Sequence, residues 1–291
     1  LWERKLAQVM KKVRIADKEV FPIGFGTWSM GDKAYMRAKE IEALMAGIEK
    51  GIQMIDTAEM YGDGNAERLV AEAITPYDRD KLFIVSKVHP MNASREKLPV
   101  SLDNSLKRLK VDYLDQYLLH WQGNIPLEET IQALEKERRK GKIKSWGVSN
   151  LDMNELNTVI KMENGRNCAS NQVRYNLGDR GIEYDLLPVM RQHDIPLIAY
   201  APVAKGDKLG SNFAKQKVLL EIASNHQCDI FQLLLAWCIR DGETIAIPQS
   251  SNRKHVVNNA AAANIRLTDE EFNQIDSIYG RPVSKQPLAL W

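Results

Sequence analysis

Short apolar runs recur along the chain, each followed by a longer stretch in which apolar residues return every three or four positions. The runs lie at 23–26, 54–56, 82–87, 113–119, 144–149, 169–173, 197–200 and 244–247. Runs of this length read as buried strands, and the stretches between them read as helices. In 38–50 the helical repeat is carried by Ile41, Leu44, Met45 and Ile48, with Gly51 as its stop. Segments 127–140 and 152–163 behave alike, the second capped by Asn150 or Asp152. Ahead of the first run, Val13-Arg14-Ile15 and Glu19-Val20-Phe21 flank a polar turn and read as a hairpin. Strands alternating with crossover helices predict an α/β fold, a (β/α)8 TIM barrel. A doubly wound dinucleotide fold would need Gly-x-Gly-x-x-Gly after its first strand. Gly24-Phe25-Gly26 comes near, but Ser29 fills the third glycine position and the match fails.

Three of the strand-like runs end on an ionisable residue. Asp56 closes 54–56, Lys87 closes 82–87 and His120 follows 113–119, while Tyr61 stands five residues beyond Asp56. Parallel strands would bring all four side chains to one rim, where such barrels place their chemistry. A free phenol, with a reference pKa of about 10, is a weak acid. A neighbouring ammonium lowers that value, and a carboxylate keeps the ammonium charged and oriented. Lys87 and Asp56 fill those parts for Tyr61, with His120 placed to hold a substrate oxygen. Such a set protonates the alkoxide that forms when a carbonyl is reduced. The hydride must come from a cofactor, since no side chain delivers one. Taken singly, Lys87 reads as a surface charge, Asp56 as a helix cap and His120 as a core histidine. Their joint occurrence at successive strand ends favours the site.

Composition narrows the rest. The chain has 291 residues, 44% of them hydrophobic, and 40 basic against 38 acidic residues give a formal charge of +2. This balance makes no electrostatic case for nucleic acid or an anionic membrane as partner. No apolar run approaches the roughly 20 residues of a membrane span, and the start lacks the pattern of a secretory signal. Cys168, Cys228 and Cys238 form no short pair, so neither a disulfide framework nor a zinc site is expected. His89, His193, His226 and His255 share no ligand spacing, and no metal is expected. A cytoplasmic protein is the default reading.

The motifs Asp56-Thr57-Ala58-x-x-Tyr61-Gly62, Val85-Ser86-Lys87, Leu118-Leu119-His120-Trp121, Gly141-Lys142-Ile143-x-x-Trp146-Gly147-Val148-Ser149-Asn150 and Asn171-Gln172-Val173 occur in one order. With them the chain resembles an aldo-keto reductase over nearly all its length. Asp56-Thr57-Ala58-Glu59-Met60-Tyr61 and 180–188 are most similar to the bacterial methylglyoxal reductases and the diketogluconate-reductase-like members of that family. The resemblance implies a hairpin plug across the barrel bottom, one barrel domain over 10–291, and a monomer. Residues 1–9 precede Met10, where a start would align, and are expected to be vector-derived or disordered.

For the cofactor, the resemblance implies that Ser149, Asn150 and Gln172 bond the nicotinamide carboxamide and that the ring stacks on Tyr200. Asp56, Thr27 and Trp28 belong to the same lining, and the backbone of Ala201 and Val203 meets the pyrophosphate. The adenosine end falls on Pro248, Gln249, Ser250, Ser251, His255, Asn258 and Asn259. Here the chain departs from the pattern, because many NADPH-dependent relatives carry lysine where Gln249 stands and arginine where His255 stands. Ser250, Ser251, Arg253 or Lys254 compensate, helped by the helix start. NADPH is expected, with NADH as the alternative. Trp28, Tyr61, His120 and Trp121 line the substrate mouth. The 121–126 segment and the tail after Arg281 are short beside those of steroid-reducing relatives. That favours small aldehydes and α-dicarbonyls such as methylglyoxal, unless the 288–291 tail folds back over the mouth. Two other readings keep the fold: an NADPH-binding regulatory subunit with little turnover, and a Schiff-base lyase with Lys87 as nucleophile.

Overall fold

The structure, a computed structural model, describes residues 12–204 and 213–290. The expectation for residues 1–9 lies outside the described residues. Eight parallel strands follow one another around a ring: Phe25–Gly26, Met54–Asp56, Phe83–Val88, Leu114–Leu119, Ile143–Ser149, Cys168–Arg174, Leu197–Tyr200 and Thr244–Ala246. The sequence places the first strand at 23–26, and its two halves serve different neighbours. Phe25 and Gly26 pair with Ile55 and Asp56, whereas Ile23 bridges Ala246 of the last strand. Gly24 N donates to Ala246 O at 2.8 Å and Gly26 N to Pro248 O at 3.1 Å, so the ring closes. A Cβ on Gly26 would lie 2.9 Å from the Ile247 carbonyl oxygen, which explains a glycine at this seam.

Period-two alternation along each strand sends every second side chain into the barrel. Met54, Phe83, Val85, Leu118, Ile198, Ile245 and Ile247 form the inner cluster, joined by Val13, Ile15 and Val20. The last three come from an antiparallel hairpin, Val13–Ile15 with Lys18–Val20. Lys18 Nζ reaches Asp115 Oδ1 at 2.6 Å, and Phe21 N donates to Gln53 Oε1 at 3.2 Å. Both partners sit at strand beginnings, so the hairpin plugs the end of the barrel opposite the strand C-termini.

A second, larger apolar layer lies between strands and helices, where Leu44, Leu69, Leu102, Ile131, Leu156 and Trp146 are buried. Helix Arg37–Ile48 stops as the glycine signal requires: Gly51 takes φ 94°, and Ile52 N returns to Gly47 O at 3.0 Å. Helix Leu127–Arg139 matches its sequence pattern. Of the two candidate caps for helix Met153–Lys161, Asp152 is the one used, accepting from Met153 N at 2.8 Å. Asn150 bonds instead to His120 O, Ser149 Oγ and the Tyr200 hydroxyl. Among the described residues no helix is long and apolar enough to cross a membrane.

Candidate active site

The alternation that builds the inner cluster also places the site. Asp56 stands two residues beyond Met54, Lys87 beyond Val85, His120 beyond Leu118, Tyr200 beyond Ile198. Each therefore points inward, one layer above the apolar filling, at the mouth formed by the strand C-termini. Parallel pairing brings neighbours together there, with Asp56 opposite Val85, Lys87 opposite Leu118 and Ser149 opposite Gln172.

Lys87 is wholly buried, and each of its three donors has an acceptor. Nζ lies 2.6 Å from Asp56 Oδ2, 2.9 Å from the Thr57 carbonyl oxygen and 3.2 Å from the Tyr61 hydroxyl. The other oxygen of Asp56 accepts from Gln172 Nε2 at 2.7 Å, a contact across the barrel between residues far apart in sequence. Tyr61 accepts from Lys87, while the proton of its own hydroxyl has no acceptor among the described residues. His120 meets Tyr61 edge-on, with ring centroids 5.7 Å apart, and packs on Trp121 at 4.9 Å. Its Nδ1 is buried without a partner.

Burial opposes the charge on Lys87, yet Asp56 and Tyr61 beside it hold its pKa above the ordinary lysine value. An ammonium with three filled donors is no nucleophile, which counts against Schiff-base chemistry. Burial raises Asp56, opposed by Lys87 and by the Gln172 amide. For Tyr61 the balance differs from the sequence argument. Burial pushes the phenol above its usual value, and the Lys87 charge only partly offsets this because Asp56 acts the other way. The phenol is thus held firmly in its protonated form. Burial first, then the Lys87 charge, drives His120 down to about 2, so its ring is neutral.

Beside this set, Asn150 adopts φ 56° and binds three neighbours. Its Nδ2 donates to His120 O and to Ser149 Oγ, both at 3.2 Å, and its Oδ1 accepts from the Tyr200 hydroxyl at 2.9 Å. Ser149 Oγ donates to Gln172 O at 2.9 Å. Thr27 caps the Asp56 carbonyl with both its N–H and its hydroxyl, at 3.1 and 2.9 Å. Fourteen of the residues expected to serve catalysis or ligands line one cavity of about 1450 Å³: Thr27, Trp28, Asp56, Tyr61, His120, Trp121, Ser149, Asn150, Gln172, Tyr200, Ala201, Val203, Pro248 and Gln249. Lys87 lies just beneath it. Ser250, Ser251, His255, Asn258 and Asn259 fall outside the cavity, along helix Arg253–Ala261 and the turn before it. Asn252 caps this helix by accepting from Lys254 N at 2.9 Å, and Asn258 donates to Asp229 at 3.1 Å. Gln249, standing where a cation was sought, donates to Ser29 Oγ at 3.3 Å.

The cavity also has walls beyond the residues expected for catalysis or ligands. Arg174, two residues beyond Gln172 and therefore on the same inward face, pairs with Asp179 at 2.6 Å. Strand alternation would have found it. Asp152, Glu155 and Leu288 to Leu290 also line it. The C-terminal tail therefore does fold back over the mouth, so the short tail no longer argues for an open mouth and small carbonyls; Trp291 lies outside the described residues. No such side chain is legible from local pattern, because loops and tail reach the mouth only through tertiary packing.

A dinucleotide is tested by what these residues offer. The cavity exceeds the several hundred Å³ that a small ligand alone needs. Tyr200 supplies an aromatic face in its wall, and the Gln172 and Asn150 amides line the same cavity. The fit is good. Among the described residues no three His, Cys, Asp or Glu side chains gather as a metal site.

The sequence profile of the aldo/keto reductase family matches residues 22–280. Methylglyoxal reductase YeaE of Escherichia coli K12 is 47% identical over 268 residues, covering 92% of this chain and 94% of that one. Glyoxal reductase of Bacillus subtilis is 32% identical, covering 81% and 82%. A crystal structure of an aldo-keto reductase from Klebsiella pneumoniae in complex with NADPH superposes with a TM-score of 0.95 at 46% identity, covering 98% of this chain and all of the other.

Proposed function

This chain belongs to the aldo/keto reductase family of NAD(P)H-dependent oxidoreductases, and we propose that within it the protein reduces methylglyoxal-like α-dicarbonyls and small aldehydes with NADPH. The observation that carries the reading is the Asp56–Lys87–Tyr61 chain of hydrogen bonds opening onto the cavity beside His120. The relatives named for methylglyoxal, glyoxal and NADPH support the choice of substrate and cofactor.

Bound reduced nicotinamide supplies the hydride. Tyr61 gives its hydroxyl proton to the carbonyl oxygen as negative charge builds there; an alkoxide is a stronger base than a phenolate, so the transfer runs downhill even from a raised phenol. Lys87 stabilises the phenolate left behind, and Asp56, held by Gln172, keeps Lys87 charged and aimed. His120, neutral, with its hydrogen on Nε2, donates to the same oxygen and orients it. Ser149, Asn150, Gln172 and Tyr200 bind and turn the nicotinamide, and Trp28, Met60 and Trp121 exclude water from the reacting carbonyl. At the adenosine end Ser251, Arg253 and Lys254 replace the cations missing at Gln249 and His255. Among the described residues Arg253 is paired only with exposed Glu42, at 3.2 Å, so a phosphate can take it over.

Titration of NADPH and NADH against intrinsic tryptophan fluorescence tests the cofactor, with NADPH expected to bind at least tenfold more tightly. Tighter NADH would make Gln249 the residue that discriminates. Oxidation of NADPH with methylglyoxal and a panel of aldehydes tests the reaction, and a protein that binds cofactor without turnover would be a regulatory subunit. The pH profile is a separate expectation. Since His120 is neutral down to about 2, kcat/KM should show no inflection near the free imidazole value of about 6.5. An acid limb there would mean that His120 works as a cation.

A further inference from the structure

We propose that Lys285 is a positioning residue for the substrate, clipping the C-terminal tail to two helix starts so that Leu288 to Leu290 form a wall of the cavity. This rests on the reductase reading above and adds a specificity device to it.

The tail runs without helix or strand from Gly280 to Leu290. Little of it is anchored by apolar packing: Val283 is 93% exposed, and Leu288 is the tail residue packed on the main core. Arg281 holds its beginning through Asp276 at 3.0 Å. Between these points Gln286 packs beside Gly181, and the charged fastening is Lys285, whose Nζ lies 2.6 Å from Asp152 Oδ1 and 3.0 Å from Asp185 Oδ2.

Exposed ion pairs are usually weak because two flexible chains must be immobilised for each contact. Here both carboxylates are already fixed. Asp152 accepts from Met153 N and Asp185 from Leu186 N, each at 2.8 Å, as caps of helices Met153–Lys161 and Leu186–Gln192. The carboxylates lose no further freedom on binding, so the ordering cost falls on the lysine and the tail it holds, and the ammonium offsets the repulsion between two like charges. Three residues further on, the tail reaches the cavity that Asp152 and Glu155 also line. The clip therefore sets how far the tail wall stands from Trp28, Met60 and Trp121.

Steady-state kinetics of Lys285→Met with phenylglyoxal, an apolar α-dicarbonyl large enough to need that wall, test the proposal. KM should rise roughly three- to tenfold, with kcat and the Kd for NADPH unchanged. Lys285→Arg should restore KM, and added salt should move the parent's KM toward that of the methionine variant. An unchanged KM, or a loss equally large in Lys285→Arg, would overturn the clip. Failure of the parent to reduce any carbonyl would overturn the reductase reading instead. The clip is then judged by maleimide labelling of Leu288→Cys, located by peptide mass: labelling should accelerate when Lys285→Met is added, and equal rates would refute it.

Discussion

Replacing Tyr61 by phenylalanine should lower kcat for methylglyoxal reduction by roughly 10²- to 10⁴-fold, the usual weight of a general acid. The Kd for NADPH should stay within about twofold, a difference of less than 0.5 kcal/mol. The substitution removes one oxygen atom. It leaves the ring against His120 and leaves Lys87 with its two stronger partners, Asp56 at 2.6 Å and Thr57 O at 2.9 Å. Stability should therefore barely change, which separates lost chemistry from lost structure. Steady-state rates together with fluorescence titration of cofactor read the two arms. A variant that turns over at the parent's rate would remove Tyr61 from its proposed role and leave the proton to another donor.

The second large effect is on stability. Lys87→Met should destabilise the protein by about 3–5 kcal/mol, because it leaves the Asp56 carboxylate buried with Gln172 as its remaining side-chain partner. Removing both charges, in Asp56→Leu with Lys87→Met, should return stability to the parent's level or above it, since well-packed apolar replacements of a buried pair cost little. Both forms should be inactive. Denaturant melts measure the difference, and pH supplies an internal check. Burial already raises Asp56, and without Lys87 it rises further. A carboxyl raised in the folded state contributes stability below its unfolded value, near 3.9, and loses it as pH climbs through the folded value. The deficit of Lys87→Met should therefore shrink as pH falls toward 4. A deficit independent of pH would mean that the loss comes from packing and not from the stranded charge.

The proposed reaction would account for the ion pair. Taking a lysine and an aspartate fully out of water is costly, and an apolar pair would hold the barrel as well. The arrangement makes sense as chemistry: a cation that cannot drift, one hydrogen bond from a phenol whose proton faces a cavity. The same reasoning explains the direction found for Tyr61. The ammonium beside the phenol lowers its pKa, but the loss of solvent and the opposing carboxylate together exceed that effect.

Local pattern located most of the frame. The runs at 197–200 and 54–56 are strands Leu197–Tyr200 and Met54–Asp56 without change, and the others shift by one or two residues. Runs that are buried on both faces carry a signal strong enough to be read without neighbours. Where two roles competed for one segment, pattern was silent. The first strand divides its pairing between both sides of the seam, and Asn150 resembles a helix cap but binds His120 O, Ser149 and Tyr200.

What the amino-acid order determined by itself is the set of groups at the mouth. Each strand end is covalently tied to its run, and alternation decides which side chains face inward. Asp56, Lys87 and His120 were legible for that reason, and Arg174 lay open to the same argument. Tertiary structure decided what those groups bond to and what surrounds them. Gln172 reaching Asp56 across the barrel, the raised phenol, and the tail pinned by Lys285 all depend on distances between segments far apart in the chain. No local periodicity encodes such distances; they exist only once the ring has closed and water has left it.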